Sequence, residues 1–436
     1  MSEWLELPLE LLADISSGGT PSRANPLFWD GDIPWVTPSD ITACKTNYLF
    51  DTSNSISQKG LISSSARLLP EGALLLTSRA TIGELRIADR PVTTNQGFKN
   101  IVPNDLIDGV YLFYQLRRLK GGFLRYAAGS TFLEINRKDT GRVRVLLPKK
   151  KTVQQKIAYI LQTIDQAIEH TGALIDKYQQ IKAGLMHDLF TRGIAANGQL
   201  RPPRDQAPDL YKRTSLGWIP KEWEPLKLKE ILSRSGGYLQ TGPFGSQLHS
   251  YEYTEEGIPV VMPQDINNGK IDEIQIARIT ESRAQSLFKH RLKFGDIIIA
   301  RRGELSRASA ILEMEQGWVC GTGCFLLRLG GSNLDARFFS MMYRHSMVQR
   351  QVEGLAVGST MPSLNNEIMG KLIFPHMNLR EQSAIADSVR LTDDRLISLK
   401  SELLKLQKQK SGMMHDLLTG KVPVTVVDDN AEVANV

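Results

Sequence analysis

The sequence predicts two mixed α/β (α+β) globular lobes in tandem, separated by two long helices that form an antiparallel coiled coil, with a pseudo-two-fold internal repeat throughout. Two observations predict this. Apolar or near-apolar residues at Ile157, Leu161, Ile164, Ile168, Thr171, Ile175, Tyr178, Lys182, Leu185 and Leu189 alternate steps of four and three, the period of a helix seam packed on another helix. Adding 228 to each gives Ile385, Val389, Thr392, Leu396, Leu399, Leu403, Leu406, Lys410, Met413 and Leu417. The segments that precede the helices repeat as well: Ile33–Ile41 matches Ile258–Ile266, Gly72–Arg79 matches Gly295–Arg302, and Gly129–Thr131 matches Gly358–Thr360. Their offsets drift by a few residues, so the rods are held strictly and the lobes loosely.

In chain order, residues 1–148 form the first lobe, with strands expected at Ile33–Thr37, Gly72–Thr77 and Gly141–Leu147 and an amphipathic helix at Gly109–Leu119. The first helical spacer occupies 149–194. Thr152 with Gln155 is suited to a capping box at its start, and Gly193 to a left-handed stop at its end. About 40 residues at 1.5 Å each give a rod of roughly 60 Å. Residues 195–214, rich in Pro, Gly, Asn and charge, read as a linker. The second lobe spans 215–375 and the second spacer 376–422, with Asn378 and Glu381 as its capping box and Gly420 as its stop. Residues 423–436 read as a frayed tail. Connectivity makes the rods antiparallel: the first delivers the chain to the second lobe, and the second returns from it. Two independent helices, each packed on its own lobe, are the alternative.

Composition sets bounds on function. The chain has 436 residues, too many for one core, 41% hydrophobic and 23% charged residues, and a net charge of +6 that permits an anionic partner without requiring one. Three scattered cysteines, Cys44, Cys320 and Cys324, make no disulfide framework and no paired zinc motif. With no signal peptide and no long apolar run, a cytoplasmic setting is expected. The sequence carries no phosphate loop, no dinucleotide glycine fingerprint and no Asn-Pro-Pro-aromatic tetrapeptide, which argues against catalysis. His187 and His415 fall in the last turns of the rods, where an imidazole suits the helix dipole. Gly184 and Gly412 weaken the helices, which suggests a close approach there by the other rod or by a partner helix.

A frame that repeats itself suits a ligand with two related sites along an axis, and duplex DNA is the commonest. Candidate contacts are Arg79, Arg301 and Arg302 at strand ends. Further candidates are Ser130 and Thr131 with Asn136, Arg137 and Lys138, and Ser359 and Thr360 with Asn365 and Asn366. Arginine clamps phosphates and reads guanine, while hydroxyls and amides bond phosphates and base edges. The turns holding Thr20, Ser22 and Arg23, and Phe244 and Ser246, belong to the same set. Singly, each residue of this kind is more often a solvated or salt-bridged side chain. Recurrence in both lobes singles them out.

Two variable lobes, twin helices, the Gly18–Ser22 and Gly242–Ser246 turns, the Leu216–Trp223 lead-in and the repeated Met-His-Asp-Leu ending together resemble the DNA specificity (S) subunit of type I restriction-modification enzymes. The resemblance covers essentially the whole chain. It implies a non-catalytic subunit whose lobes are target-recognition domains, each reading one half of a bipartite asymmetric DNA sequence. It further implies that the rods set the gap and dock two modification subunits, with two restriction (motor and nuclease) subunits joining them. S-adenosylmethionine, ATP and Mg2+ would then belong to the partners. The first lobe departs from the pattern, lacking the Trp-Ile-Pro lead-in and starting on Trp4–Pro8. Rival readings are a coiled-coil scaffold that joins proteins without DNA and a self-contained methyltransferase or nuclease.

Overall fold

The computed structural model describes residues 3–79, 81–127, 133–244, 247–331, 334–356 and 363–425. It divides into two compact units, Met1–Ile175 with Leu399–Val436, and Asp176–Ser398, so that each long helix gives one half to each unit. The tail from residue 426 onward lies outside the described residues.

In the first unit a five-stranded sheet runs Ala13–Ser17, Phe98–Pro103, Leu74–Thr77, Leu85–Ala88, Tyr48–Leu49, and a three-stranded sheet runs Asn54–Ile56, Trp29–Val36, Thr93–Thr94. Trp4–Pro8 pairs antiparallel with Arg144–Pro148, tying the start of the chain to the strand that feeds the first rod. The amphipathic helix forms over Gly109–Arg118, capped by Asp108, and buries Tyr111, Leu112, Phe113 and Tyr114. Its core takes in Ile157 and Leu161 from the first long helix and Leu417 and Leu418 from the second.

The second unit repeats this plan. Gly236–Thr241, Cys324–Gly330, Asp296–Ala300 and Ala308–Ala310 form one four-stranded sheet, Tyr253–Thr254, Ala277–Ile279, Ile258–Val261 and Val319–Cys320 another. Glu224–Lys227 pairs antiparallel with Ile373–His376, as Trp4–Pro8 does with Arg144–Pro148. The counterpart helix is Ala336–Arg344, capped by Asp335. Leu189, Ile385 and Val389 lie in this unit's core. The segment expected as a linker carries the buried Arg201 and the first strand of a hairpin, Tyr211–Thr214, which pairs with Gly217–Pro220 beyond it.

The long helices span Lys151–Thr191 and Leu379–Leu418, and each is followed by a glycine with positive φ, Gly193 at +66° and Gly420 at +74°. Every seam position expected from the repeat is buried or half-buried: Ile164, Ile175, Leu396 and Leu399 are buried, while Ile168, Leu185, Leu403, Leu406 and Met413 are half-buried. Within the first unit Lys410 pairs with Asp165, and within the second Lys182 pairs with Asp393 at 2.5 Å. In both pairs the residue numbers of the two helices add to the same total, the mark of antiparallel packing.

Several boundaries differ from expectation for local reasons. The first helix starts at Lys151, so Thr152 lies inside it and makes no cap. Gln154, not Gln155, ties the start: its Nε2 donates to the Pro148 carbonyl at 2.9 Å, and its Oε1 accepts from Asp108 N at 2.8 Å. Gln382 does the same in the second unit with Met377 O and Asp335 N. Asn378 caps as expected, accepting from Glu381 N at 2.9 Å, but the Glu381 carboxylate turns to Arg201 and Trp223 instead of closing a box. The strand expected from Gly141 begins at Arg144, because Arg137–Gly141 is a short helix capped by Asn136.

Candidate nucleic-acid interface

The first-lobe turn is built by two tryptophans. Trp35 Nε1 donates to Gly19 O at 2.9 Å and Trp29 Nε1 to Ser22 O at 3.1 Å, while the rings meet edge to face at 4.9 Å. The exposed Arg23 guanidinium lies over both, 4.7 Å from the centroid of Trp29 and 5.6 Å from that of Trp35. Stacking orders the guanidinium while leaving its N–H edge free. Thr20 Oγ1 donates to Gln96, and Ser22 is exposed beside Arg23. A Cβ on Gly18 would sit 2.2 Å from Asn95 O, so only glycine lets the turn lie against that strand end. In the second lobe Thr322 donates to Pro243 O and Phe244 is exposed at the turn's tip.

The strand-end arginines all lie in or beside sheet corners. Arg79 bonds Glu134, Arg301 Nε donates to Leu364 O at 2.9 Å, and Arg302 is exposed. Asn136 and Asn365 are N-caps, with Oδ1 taken by Asp139 N and Ile368 N. Arg137 and Lys138 are exposed near Asp14 and Glu10, and Asn366 Nδ2 points to Leu239 O at 3.4 Å. Ser130, Thr131, Ser246, Ser359 and Thr360 lie outside the described residues. In the first lobe the described candidates thus gather at two places, the aromatic-backed turn and the strand end; in the second, Phe244 stands apart from Arg301, Arg302, Asn365 and Asn366 near the matching strand end.

Sequence reasoning missed a buried junction under the second lobe. Glu381 accepts from Arg201 Nη1 at 2.5 Å, Trp223 Nε1 at 3.1 Å and Ile194 N at 3.0 Å, and Arg201 also pairs with Glu222. Trp223 is fully buried there. In the first unit Trp4 takes the equivalent place, its indole packed on Gly420, so the lead-in absent from the sequence is supplied by Trp4. The matching Trp-then-strand spacing, Trp4-Leu5 and Trp223-Glu224, was the available signal. Cys320 and Cys324 are buried thiols, both pushed far up by burial, and behave as small apolar core residues.

The model for the type I restriction modification DNA specificity domain matches residues 1–179 and again 220–407. Among curated relatives, the MjaIX specificity subunit of Methanocaldococcus jannaschii is 26% identical over 97% of this chain and 94% of its own. The MjaVIII specificity subunit of that organism is 24% identical over 80% and 79%. Among solved structures, the type I restriction-modification S subunit from M. genitalium shares the fold with a TM-score of 0.59 at 18% identity, covering 97% of both chains. The two tandem matches coincide with the two lobes and reach into the rods that follow them, and the chain therefore belongs to the type I restriction modification DNA specificity family, as a DNA-recognition subunit that is not itself an enzyme.

Proposed function

We propose that each lobe reads one half of a bipartite, asymmetric DNA target and that the paired helices fix the gap between the halves. The observation that carries this is the repetition of one frame under two unlike lobes. The Lys–Asp pair, the glutamine tie and the capping aspartate recur in each unit, while the turns and strand-end corners above them differ in residue and charge. A fixed frame with divergent surfaces suits two half-sites of different sequence held at one spacing. The candidate contacts are Thr20, Ser22, Arg23, Asn136, Arg137 and Lys138 in the first lobe, with Arg79 beside them held by Glu134, and Phe244, Arg301, Arg302, Asn365 and Asn366 in the second, with the hydroxyl residues already named.

The helices also present the surface on which two modification subunits dock, with two restriction subunits completing the cleaving assembly. S-adenosylmethionine, ATP and Mg2+ are held by those partners, and the complex works in the cytoplasm. Among the described residues no helix is long and apolar enough to cross a membrane.

Single-molecule methylome sequencing of cells carrying this chain and its modification subunits tests the reading. One bipartite motif is expected, and exchanging one lobe for that of a related subunit should change one half only. Inserting four residues in each helix, about 6 Å at 1.5 Å per residue, should widen the tolerated gap by one or two base pairs of about 3.4 Å. An unchanged gap rejects the ruler; two altered halves reject separable lobes.

A further inference from the structure

Both lobes place an arginine two residues beyond the same strand and surround it differently. Arg79 follows Leu74–Thr77 and forms an isolated antiparallel bridge with Glu134; Arg302 follows Asp296–Ala300 and forms the corresponding bridge with Ser363. The backbone geometry is common to the two. The charge is not.

In the first lobe Glu134 Oε2 accepts from Arg79 Nε at 2.7 Å, and Glu134 Oε1 faces Lys99 Nζ at 3.3 Å. The Lys99 side chain is only 4% exposed and its ammonium also reaches Ser78 Oγ at 3.2 Å. Two cations share one carboxylate. Burial opposes the charge on Glu134, but the bonds from Arg79 and Lys99 prevail and hold its carboxyl below the usual range. In the second lobe Phe325 stands in the strand register of Lys99, Arg301 replaces Ser78, and Ser363 replaces Glu134. Arg301 is fixed by its bond to Leu364 O and lies 5.9 Å from the Phe325 ring. Arg302 is exposed and, among the described residues, has no carboxylate partner. Among the described residues neither cation is ion-paired with a carboxylate.

A DNA phosphate that reaches Arg79 competes with Glu134 and is repelled by it, whereas one that reaches Arg302 meets an arginine with no carboxylate bound to it among the described residues. We propose that Glu134 withholds Arg79 from phosphate contact, so that the second lobe, through Arg302 backed by Arg301, supplies more of the sequence-independent grip on DNA than the first. This inequality has meaning only if the lobes bind DNA as proposed above.

The test is equilibrium binding of the complex of this chain with its modification subunits to a duplex carrying its methylated motif and to an unrelated duplex. Salt is varied between about 50 and 200 mM. Arg302→Gln is expected to reduce the slope of log K against log salt by about one and to weaken binding roughly five- to tenfold on both duplexes, with the methylated motif unchanged. Arg79→Gln should change binding by less than about twofold. Ser363→Glu, at an exposed position, should reproduce Arg302→Gln by giving the second lobe the missing carboxylate. Glu134→Gln should steepen the slope by about one; if loss of the Lys99 partner prevents folding, Ser363→Glu alone decides. Equal slope changes from Arg79→Gln and Arg302→Gln, a silent Ser363→Glu, or an altered motif with Arg302→Gln would overturn the proposal. A wild-type complex that binds neither duplex would instead overturn the DNA-reading itself.

Discussion

Lys410 and Asp165 form an ion pair in the first unit, and the residues 228 positions away, Lys182 and Asp393, form it again in the second with the helices exchanging roles. The two copies differ in burial. Asp165 also accepts from Asn47 Nδ2 and Tyr114 Oη, each at 2.7 Å, and the side chains of the pair are 8% and 14% exposed; the Lys182–Asp393 side chains are 27% and 29% exposed. Burial, together with the nearby Arg117 charge, pushes the Lys410 ammonium down despite its partner, which marks a costly site for an unpaired cation. Asp165→Asn should therefore lower stability by about 3 kcal/mol, and Asp393→Asn by about 1 kcal/mol or less. Urea denaturation of the two variants checks the difference, and equal losses would contradict it.

Gly193 carries a second, sharper expectation. At φ +66° its Cβ position falls 2.3 Å from Glu381 Oε1 and 2.4 Å from the Trp223 ring, so alanine there both strains the backbone and pries open the buried Arg201–Glu381 pair. Gly193→Ala should cost roughly 3 kcal/mol or more. Gly420→Ala meets the Trp4 indole first, at 2.7 Å, and should cost about 2 kcal/mol. Thermal melting of each variant reads the order.

His345 makes stability depend on pH. It joins the helices Ala336–Arg344 and Ser346–Ala356, lies against Phe190 with centroids 5.0 Å apart, and faces the positive charge of Arg350 and the ring of His187. Burial, then those two neighbours, lowers its pKa to about 4. An unfolded histidine titrates near 6.5, so between these values the unfolded chain binds more protons and stability falls as pH falls; it is complete above about pH 6.5. His345→Asn keeps an acceptor for Met347 N and should shrink the stability loss between pH 7 and 5 by about 1 kcal/mol, half the unscreened figure because the ring is partly exposed. Melting curves at the two pH values, with and without the substitution, measure it.

The rods were legible because a helix seam writes its period into contiguous sequence, from Ile157 to Leu189 and again from Ile385 to Leu417. Even the ion pairs left a trace, since Lys182 and Lys410 fall on otherwise apolar seam positions. The Glu381 junction left only the tryptophan at the head of each lobe's entry strand: its partners Trp223 and Ile194 lie 158 and 187 residues away, and only the fold brings them together. The lobes fell between these cases. Asn136 and Asn365 recur as sequence suggested, but their recurrence reflects helix caps, a demand of the chain's own backbone. Which side chains meet bases depends on the shape of a duplex, and no periodicity of the protein encodes it. The contrast of Glu134 with Ser363 falls at the same offset as Asn136 with Asn365, but only the two bridges show that each lies beside its arginine.

Gly184 and Gly412 separate packing within the chain from packing against a partner. Sequence suggested a close approach by the other rod or by a partner helix, yet a Cβ at either glycine would meet nothing within 4 Å, so the other rod does not require them. Both are exposed and both sit in the repeated stretch ending Met-His-Asp-Leu. In the isolated chain Gly184→Ala and Gly412→Ala should each stabilise by roughly 1 kcal/mol, since alanine is the better helix former and nothing obstructs it. If the rods dock modification subunits at these points, the same methyl groups obstruct a neighbouring helix there. The double variant should then melt higher alone and bind modification subunits at least about tenfold more weakly, a loss of about 1.4 kcal/mol. Calorimetric melting of the chain and titration with purified modification subunits read the two effects separately, and a double variant that assembles as tightly as the parent places the docking surface elsewhere on the helices.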